Sequence, residues 1–511
     1  MKRLEHFFDS LHAFFAGLHQ RPLTKWLTVW GIAFFVLFLI VRIILVNSYA
    51  ADIGGIENNV IYNVSKMLEG GALYEHPESG NFNITQYSPI YYQTLYGICK
   101  LSNLNSLQHV HTMYYLGRAL SLLFNLMGGY FLLRLCIKEF SVHRNLALIA
   151  ICLYFLNLSQ IHFAARPDGL FNLIFIGILY CTLLYLKRDQ LVYLIGASVL
   201  VAVSIFVKQN GIQFLILLPA FFLLTSRFKA AMISFGVMII GSGLLFVLYQ
   251  GVYGENFMLN VFGGLDNGTS LARMYYVFSH YFQRHSLIFI AGLLLSVQFF
   301  NRKQDAELRF ISFALVGTFV FAFVTSSKVG SWVNYYNEFS IAVILLATVM
   351  ISRKVAQEES KNSTWKKVGV VLVLFLSVLI PYNFTHKIFE VHANHFGTTT
   401  KAYEDGYEIA TELEYILRDK YFFISFDPRI DCMLPERSVV PNKDLVPSQS
   451  SFDYAEVIKL QAHGQIRCIV IPNDIELPRD FMGFPLTDYG LDYENDSYSI
   501  YTLGKEYGWH R

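Results

Sequence analysis

Eleven apolar runs divide the sequence: residues 26–48, 113–137, 146–163, 168–186, 191–207, 212–226, 229–250, 285–301, 309–326, 338–352 and 367–383. Runs of about 17–25 residues match the apolar thickness of a bilayer crossed by a helix. Lipid offers the backbone no hydrogen bonds, so every N–H and C=O must pair within its own segment, as a helix allows. The pattern predicts an α-helical polytopic membrane protein with about 11 transmembrane helices. Composition agrees, with 54% of the 511 residues hydrophobic and 15% charged, against about 25% charged in soluble domains. The net charge of +2 is scattered over separate short loops, which makes no basic footprint for nucleic acid.

Trp26 to Val46 is too long for the apolar part of a signal peptide, and no convincing cleavage site follows at Ser48-Tyr49-Ala50, so this run reads as a retained first span. Residues 1–25 place apolar side chains at helical spacing between basic ends; an interfacial helix and an ordinary cytoplasmic tail both fit. Lys and Arg then collect on alternate loops. One side holds Lys2, Arg3, Arg21 and Lys25, then Lys138 and Arg144, Lys187 and Arg188, Arg227 and Lys229, Arg302, Lys303 and Arg309, and the stretch from Arg353 to Lys367. The other side holds only Lys66, Lys100, Arg166, Lys208, Arg273, Arg284 and Lys328. The basic side is expected to face the cytoplasm. This predicts a cytoplasmic segment 1–25, a membrane domain 26–383 with its first outer loop at 49–112, and an extracytoplasmic tail 384–511.

The tail has a different character. KYFFISFD and RCIVIPND read as short buried strands, EIATELEYILRDK and YAEVIKLQAHG as helices, and DYGLDYENDSYSIYTLG as a closing hairpin, together a small α/β domain. Cys99, Cys136, Cys152 and Cys181 lie in or beside apolar runs and read as small apolar residues. Cys432 and Cys468 lie in the tail, where pairing and non-pairing are both open. No His/Cys spacing points to zinc.

Within the first outer loop, NNVIYNVSKMLEGG spaces Val60, Ile61, Val64, Met67 and Leu68 along one helix face, and Gly70 and Gly71 stop it. SPIYYQTLYGICKL starts a second helix with Ser88 at the cap position and Pro89 at the first turn. Both are expected to lie along the interface, with Tyr87, Tyr91, Tyr92 and Tyr96 at headgroup level.

Topology sorts the polar residues at span ends onto the outer side: Asp52 and Glu57; Arg166 and Asp168; Lys208 and Gln209; Lys328, Asn334, Tyr335 and Glu338. Ionisable groups at membrane level are costly and need a partner or a purpose. Taken singly, Asp168 also reads as a helix cap, Lys208 as a snorkelling anchor, and Asp52 and Glu57 as ordinary loop acids. Taken together, bases suited to phosphate and acids suited to proton transfer or a metal gather at one membrane face. That collection fits an enzyme acting on an anionic, lipid-linked substrate. A transporter is the rival class, but transporters tend to carry paired halves with sites at mid-membrane, and the sequence shows no such symmetry.

These segments resemble the polytopic glycosyltransferases of the GT-C superfamily, close to the family 39-like protein mannosyltransferases and the aminoarabinose transferases. QYSPIYY (86–92) is similar to the family's Y-x-P-L-Y-Y pattern, ARPDGLF (165–171) to the site of its second acid, VKQNG (207–211) to a recurrent K-Q-(T/N)-G, and KVGSWVNYYNEF (328–339) to a G-(S/A)-x-x-N-Y segment. Counting back from MLEGG puts Glu57 at the second acid of the family's acidic pair; Ile56 stands where aspartate is usual, with Asp52 five residues before Glu57. The resemblance covers roughly residues 26–350. It implies transfer of a sugar from a polyprenyl-phosphate donor to a lipid, glycan or protein acceptor, with inversion, on the outer face of a bacterial inner membrane. It also implies Asp52 or Glu57 as the base, and Asp168 as a group that orients the acceptor. Arg166, Lys208 and Lys328 would serve the leaving phosphate, and Tyr87, Pro89, Tyr91, Gln209, Asn334, Tyr335 and Glu338 would bind substrate. The resemblance fixes no cofactor; a divalent cation held by Glu57 and Asp168 stays open, because metal use varies within the family.

Overall fold

The computed structural model describes residues 33, 35–37, 39–53, 56–79, 81–158, 160–265, 268–301, 305–357, 396–418, 420–441, 452–482 and 484–504. The expectations for residues 1–25 and for the apolar run 367–383 lie outside them. Helices come in the order α1 (Phe35–Val46), α2 (Glu57–Leu68), α3 (Pro89–Leu101), α4 (Ser106–Arg134), α5 (Arg144–Asn157), α6 (Asp168–Arg188) and α7 (Leu191–Val207). Then follow α8 (Ile212–Leu224), α9 (Phe228–Tyr253), α10 (Glu255–Val261), α11 (Leu271–Ser296), α12 (Ala306–Thr325), α13 (Asn337–Gln357) and α14 (Phe396–Leu417). The remaining tail holds β1 (Phe422–Ser425), α15 (Pro428–Met433), α16 (Ala455–Ala462), β2 (Ile466–Pro472), β3 (Asp480–Phe481), β4 (Phe484–Pro485), β5 (Tyr489–Glu494) and β6 (Tyr498–Leu503).

Six described helices are long and apolar enough to cross a membrane, and four shorter apolar helices accompany them. Each falls on one of the predicted runs, but the described residues do not reach a count of eleven full spans. The largest departure is α11, which begins fourteen residues before the apolar run 285–301. Residues 271–284 mix Arg, His and Tyr with apolar side chains. A break in helical geometry at His285 (φ −130°, ψ 28°) separates this amphipathic half from the apolar half.

Helix α6 packs on α4, α7 and α12. Its contact with α4 is close because the residues there are small, as is usual where membrane helices touch. A Cβ on Gly169 would lie 2.9 Å from the Ser121 carbonyl oxygen, and one on Gly117 would lie 2.5 Å from the Ala165 Cβ. These two glycines bring the 165–169 turn against the middle of α4. By contrast α9 shows Met232, Ile240, Leu244 and Val247 on its open side, apolar surface suited to lipid.

The loop 49–112 forms both expected helices. Helix α2 ends in a Schellman motif, with Gly71 N–H donating to Lys66 O (2.9 Å) and Gly70 N–H to Met67 O (3.3 Å), and Gly70 in the left-handed region at φ 96°. Pro89 opens α3 as expected, but the Ser88 hydroxyl donates to Ile205 O (2.8 Å) at the end of α7 rather than capping α3. Neither face of α2 lies open at an interface. Its apolar face is buried as predicted, and its polar face is buried too. Asn59 donates to Ile84 O (2.6 Å), while Asn63 accepts from Asn83 (2.8 Å) and Thr85 (2.8 Å). The returning strand of the same loop thus takes the place of water.

The tail sheet runs β1-β2-β6-β5, with β1 and β2 parallel and the other pairs antiparallel. Both predicted strands, both helices and the closing hairpin are present. Cys468 and Val470 face Ile409 and Leu413 of α14, whereas Ile469 and Ile471 face a cluster that includes Phe82 of the first outer loop. Helix α15 rests on α2 and α4, and Tyr62 OH donates to Pro435 O at 2.8 Å. The tail therefore covers the first outer loop. Cys432 and Cys468 are both buried and form no disulfide, lying in different apolar clusters.

Asp427 anchors this covering domain. It accepts from the backbone N–H (2.7 Å) and the guanidinium (2.6 Å) of Arg429, and from Tyr498 OH (2.7 Å). Burial pushes its carboxyl up, but Arg429 outweighs burial and holds it below the ordinary value. A depressed carboxyl stabilises the fold above its unfolded value of about 3.9 and loses that contribution as pH falls through the folded value. Arg429→Ala removes the charge partner and leaves the buried carboxylate with only the backbone N–H of residue 429 and Tyr498 OH. The variant should be destabilised by about 3–5 kcal/mol at neutral pH, with the deficit narrowing in acid. Thermal unfolding of the full chain across pH 3–8 reads this; a deficit that widens in acid would contradict it.

Candidate active site

Asp168 stands at the first turn of α6, where a carboxylate meets the positive end of the helix dipole. It does not cap the helix; Pro167 holds the cap position and no side-chain cap bond forms. Oδ1 of Asp168 instead accepts from Lys208 Nζ (2.7 Å) and Asn334 Nδ2 (2.7 Å), and Oδ2 from Arg166 Nε (3.2 Å). All four residues are buried. Lys208 thus reaches inward to an acid rather than outward to the interface. Three sequence segments, 165–168, 207–211 and 333–338, meet on one carboxylate.

Rings and a second acid surround this junction. Arg166 lies over the Tyr87 ring (5.6 Å to its centroid) and Lys208 over the Tyr335 ring (5.4 Å). Burial pushes the Tyr87 hydroxyl above its ordinary value, and Arg166 opposes this. Glu338 is buried within electrostatic reach of Lys208. Gln209 donates to Gln86 O (2.6 Å) and Val261 O (3.2 Å), which straps the turn after α7 to the first outer loop. Asp52 is exposed, and its charge acts on both Tyr87 and Arg166.

Glu57 has a different environment from Asp52. Its Oε1 accepts from Arg118 Nε (2.8 Å) and Ala165 N–H (2.7 Å), and its Oε2 from Arg118 Nη2 (2.7 Å) and Ile53 N–H (3.2 Å). Arg118 also donates to Ser48 O (2.6 Å) and Ala50 O (2.6 Å). Both side chains are fully buried. A bidentate pair of this kind is strong and geometrically specific. It joins the end of α1, the start of α2, the middle of α4 and the turn before α6, and so holds Asp52 in place.

Three other predicted binding residues lie in the frame. Tyr91 is fully buried, with its hydroxyl 2.9 Å from both Gly117 O and Ser121 Oγ. Pro89 sets the first turn of α3. Lys328 bridges Thr269 through its backbone and accepts from Ser331 Oγ (2.7 Å).

The sequence reading missed Arg118 and an asparagine chain beneath Asp168. Asn157 donates to Asn337 (2.7 Å), Asn337 to Asn172 (2.6 Å) and Asn172 to Asn125 (3.4 Å). Asn172 lies one turn below Asp168, and Asn337 one turn past Asn334, so the pair locks α6 to α13 beneath the Asp168–Asn334 contact. An arginine inside an apolar run was the available signal, because such a residue demands a partner.

The candidate metal ligands do not suit a cation. Glu57 is filled by Arg118 and two backbone N–H groups, and Asp168 by three donors. Among the described residues no group of three His, Cys, Asp or Glu side chains could hold a metal ion.

No protein-family model matches the chain, and no curated protein matches it. Solved structures do. The crystal structure of ArnT from Cupriavidus metallidurans bound to undecaprenyl phosphate is similar over 93% of this chain and 98% of that one, at 14% identity and a TM-score of 0.61. The apo state of the same protein gives 12% identity and a TM-score of 0.58 over the same shares. The Archaeoglobus fulgidus oligosaccharyltransferase tethered to an acceptor peptide matches 87% of this chain and 69% of that one, at 11% identity and a TM-score of 0.54. The chain therefore shares its overall fold with these two proteins along most of its length.

Proposed function

We propose that this chain is a membrane glycosyltransferase that moves a sugar from a polyprenyl-phosphate donor to an acceptor hydroxyl on the extracytoplasmic side. The observation that carries the reading is the junction at Asp168, where Lys208 and Arg166 are held beneath the first outer loop. In a buried site, preorganised cations stabilise charge that develops in the transition state. Here that charge is the leaving lipid phosphate. Undecaprenyl phosphate, bound in the similar ArnT structure, is the carrier this fold suggests.

Asp52 is the base in this reading. It is the solvent-exposed carboxylate beside the junction, whereas Glu57 is fully buried in its pair with Arg118. As the acceptor oxygen bonds to the anomeric carbon, its proton passes to Asp52. The bond from that carbon to the phosphate oxygen breaks, and its electron pair leaves with the lipid phosphate. Attack opposite the leaving group inverts the anomeric centre. Asp168, Asn334 and Glu338 orient the two cations, Tyr87 and Tyr335 flank them, and Glu57 positions Asp52.

The test is mass spectrometry of lipid-linked sugars and surface glycans from cells with and without the gene. A lipid-linked sugar should accumulate, and one glycan modification should vanish, in the deletion; unchanged profiles would remove the assignment. Sidedness is read by labelling cysteine variants with an impermeant maleimide. His76→Cys should label from outside and Asp189→Cys should not, both positions being exposed; the reverse pattern would place the site in the cytoplasm.

A further inference from the structure

The amphipathic half of α11 carries a cationic, aromatic cluster that the transfer reading does not use. Arg273, Tyr276, His280 and Arg284 follow at helical spacing and lie along one face. Trp332, from the turn before α13, faces all of them. The Arg273 and Arg284 guanidiniums lie 5.8 and 6.0 Å from its ring centroid, His280 lies 5.5 Å away and Tyr276 6.0 Å.

Two features make this more than a decorated surface. The first is charge. Among the described residues, neither Arg273 nor Arg284 has an acidic partner, whereas Arg166 and Lys208 share Asp168. Arg273 is fixed by a bond to Ser331 O (2.6 Å), yet its buried Nε makes no hydrogen bond. Two guanidiniums gathered at one indole without an acidic side chain offer donors that a phosphate can use. The second is depth. Leu271, Tyr275, Phe282, Leu287 and Ile290 are exposed along the same helix. The change from amphipathic to apolar falls at the His285 break. A basic, aromatic half-helix that runs into an apolar one sits at headgroup level.

At headgroup level the abundant anions are lipid phosphates. Arginine forks match phosphate oxygens in shape and charge, and anionic headgroups are drawn to clustered basic residues. We propose that Arg273, Trp332 and Arg284 form a binding site for the phosphate headgroup of an anionic bilayer phospholipid. The site does not depend on the transfer reading; Trp332 opens the turn that carries Asn334 and Tyr335 to the Asp168 junction, with Trp332 O accepting from Tyr335 N–H (3.2 Å), while its ring faces α11.

Native mass spectrometry of the full chain tests it, with phosphatidylglycerol, phosphatidylcholine and undecaprenyl phosphate as separate probes. The double variant R273Q/R284Q should retain one phosphatidylglycerol fewer, or hold it roughly tenfold more weakly, as expected for lost charge-assisted bonds. Phosphatidylcholine and undecaprenyl phosphate should bind as in wild type. Arg284→Gln alone, at an exposed position, should show a partial loss in the same direction and covers the case in which the double variant misfolds. Unchanged phosphatidylglycerol retention in both variants would overturn the proposal. So would selective loss of undecaprenyl phosphate, which would make the cluster part of the donor site.

Discussion

Arg118→Leu is expected to destabilise the full chain by about 3–5 kcal/mol, the usual cost of removing one member of a buried ion pair. Leucine fits an apolar helix, so local packing survives. What fails is the junction, because Glu57 is left fully buried with only the Ala165 and Ile53 N–H groups, while Ser48 O and Ala50 O lose their donors. The first outer loop should loosen before the helices part. Limited proteolysis would then cut residues 49–56 in the variant at a protease level the wild type resists. Equal resistance and an unchanged melting temperature would show that the pair holds nothing.

Asp168→Ala is expected to cost transfer beyond the roughly 3–5 kcal/mol of stability lost when Lys208 and Arg166 are left buried without their shared carboxylate. Its loss frees Lys208, Arg166 and Asn334 from their shared acceptor, and the two cations separate. Where preorganised charge supplies the stabilisation, removing one element of it costs on the order of 10²–10³ in rate. Asp168→Asn should recover little, since an amide keeps the shape but cannot hold two cations together. Transfer within a few-fold of wild type in both variants would show that the junction is structural only.

Much of this arrangement was legible in the residues. The apolar runs marked the helices because lipid demands that every backbone group pair internally. Gly70-Gly71 and Pro89 marked the ends of the loop helices because they act through local backbone geometry. The tail strands announced themselves as short β-branched runs closed by turn residues. The meeting of 165–168, 207–211 and 333–338 followed from sorting span ends by side. What could not be read was pairing across distance. Nothing at Glu57 reveals that Arg118, 61 positions away, will fill both its oxygens, and so the two first-loop acids looked interchangeable. The polar face of α2 looked solvated because spacing alone cannot tell water from a returning strand rich in Asn and Thr. Tyr91 looked like an interfacial ring for the same reason. The long amphipathic start of α11 was hidden because a search for apolar runs begins where the basic residues stop.

The central claim is a division of labour between the two carboxylates of the first outer loop, with Asp52 moving the proton and Glu57 holding the frame. Asp52→Asn and Glu57→Gln, purified side by side, separate these roles when melting temperature and restoration of the missing glycan in deletion cells are measured together. The account predicts that Asp52→Asn melts like wild type and restores the glycan at a rate lower by about 10²–10⁴, while Glu57→Gln melts markedly lower. Glycan restored at the wild-type rate by Asp52→Asn, beside a Glu57→Gln protein that melts normally and restores none, would contradict it.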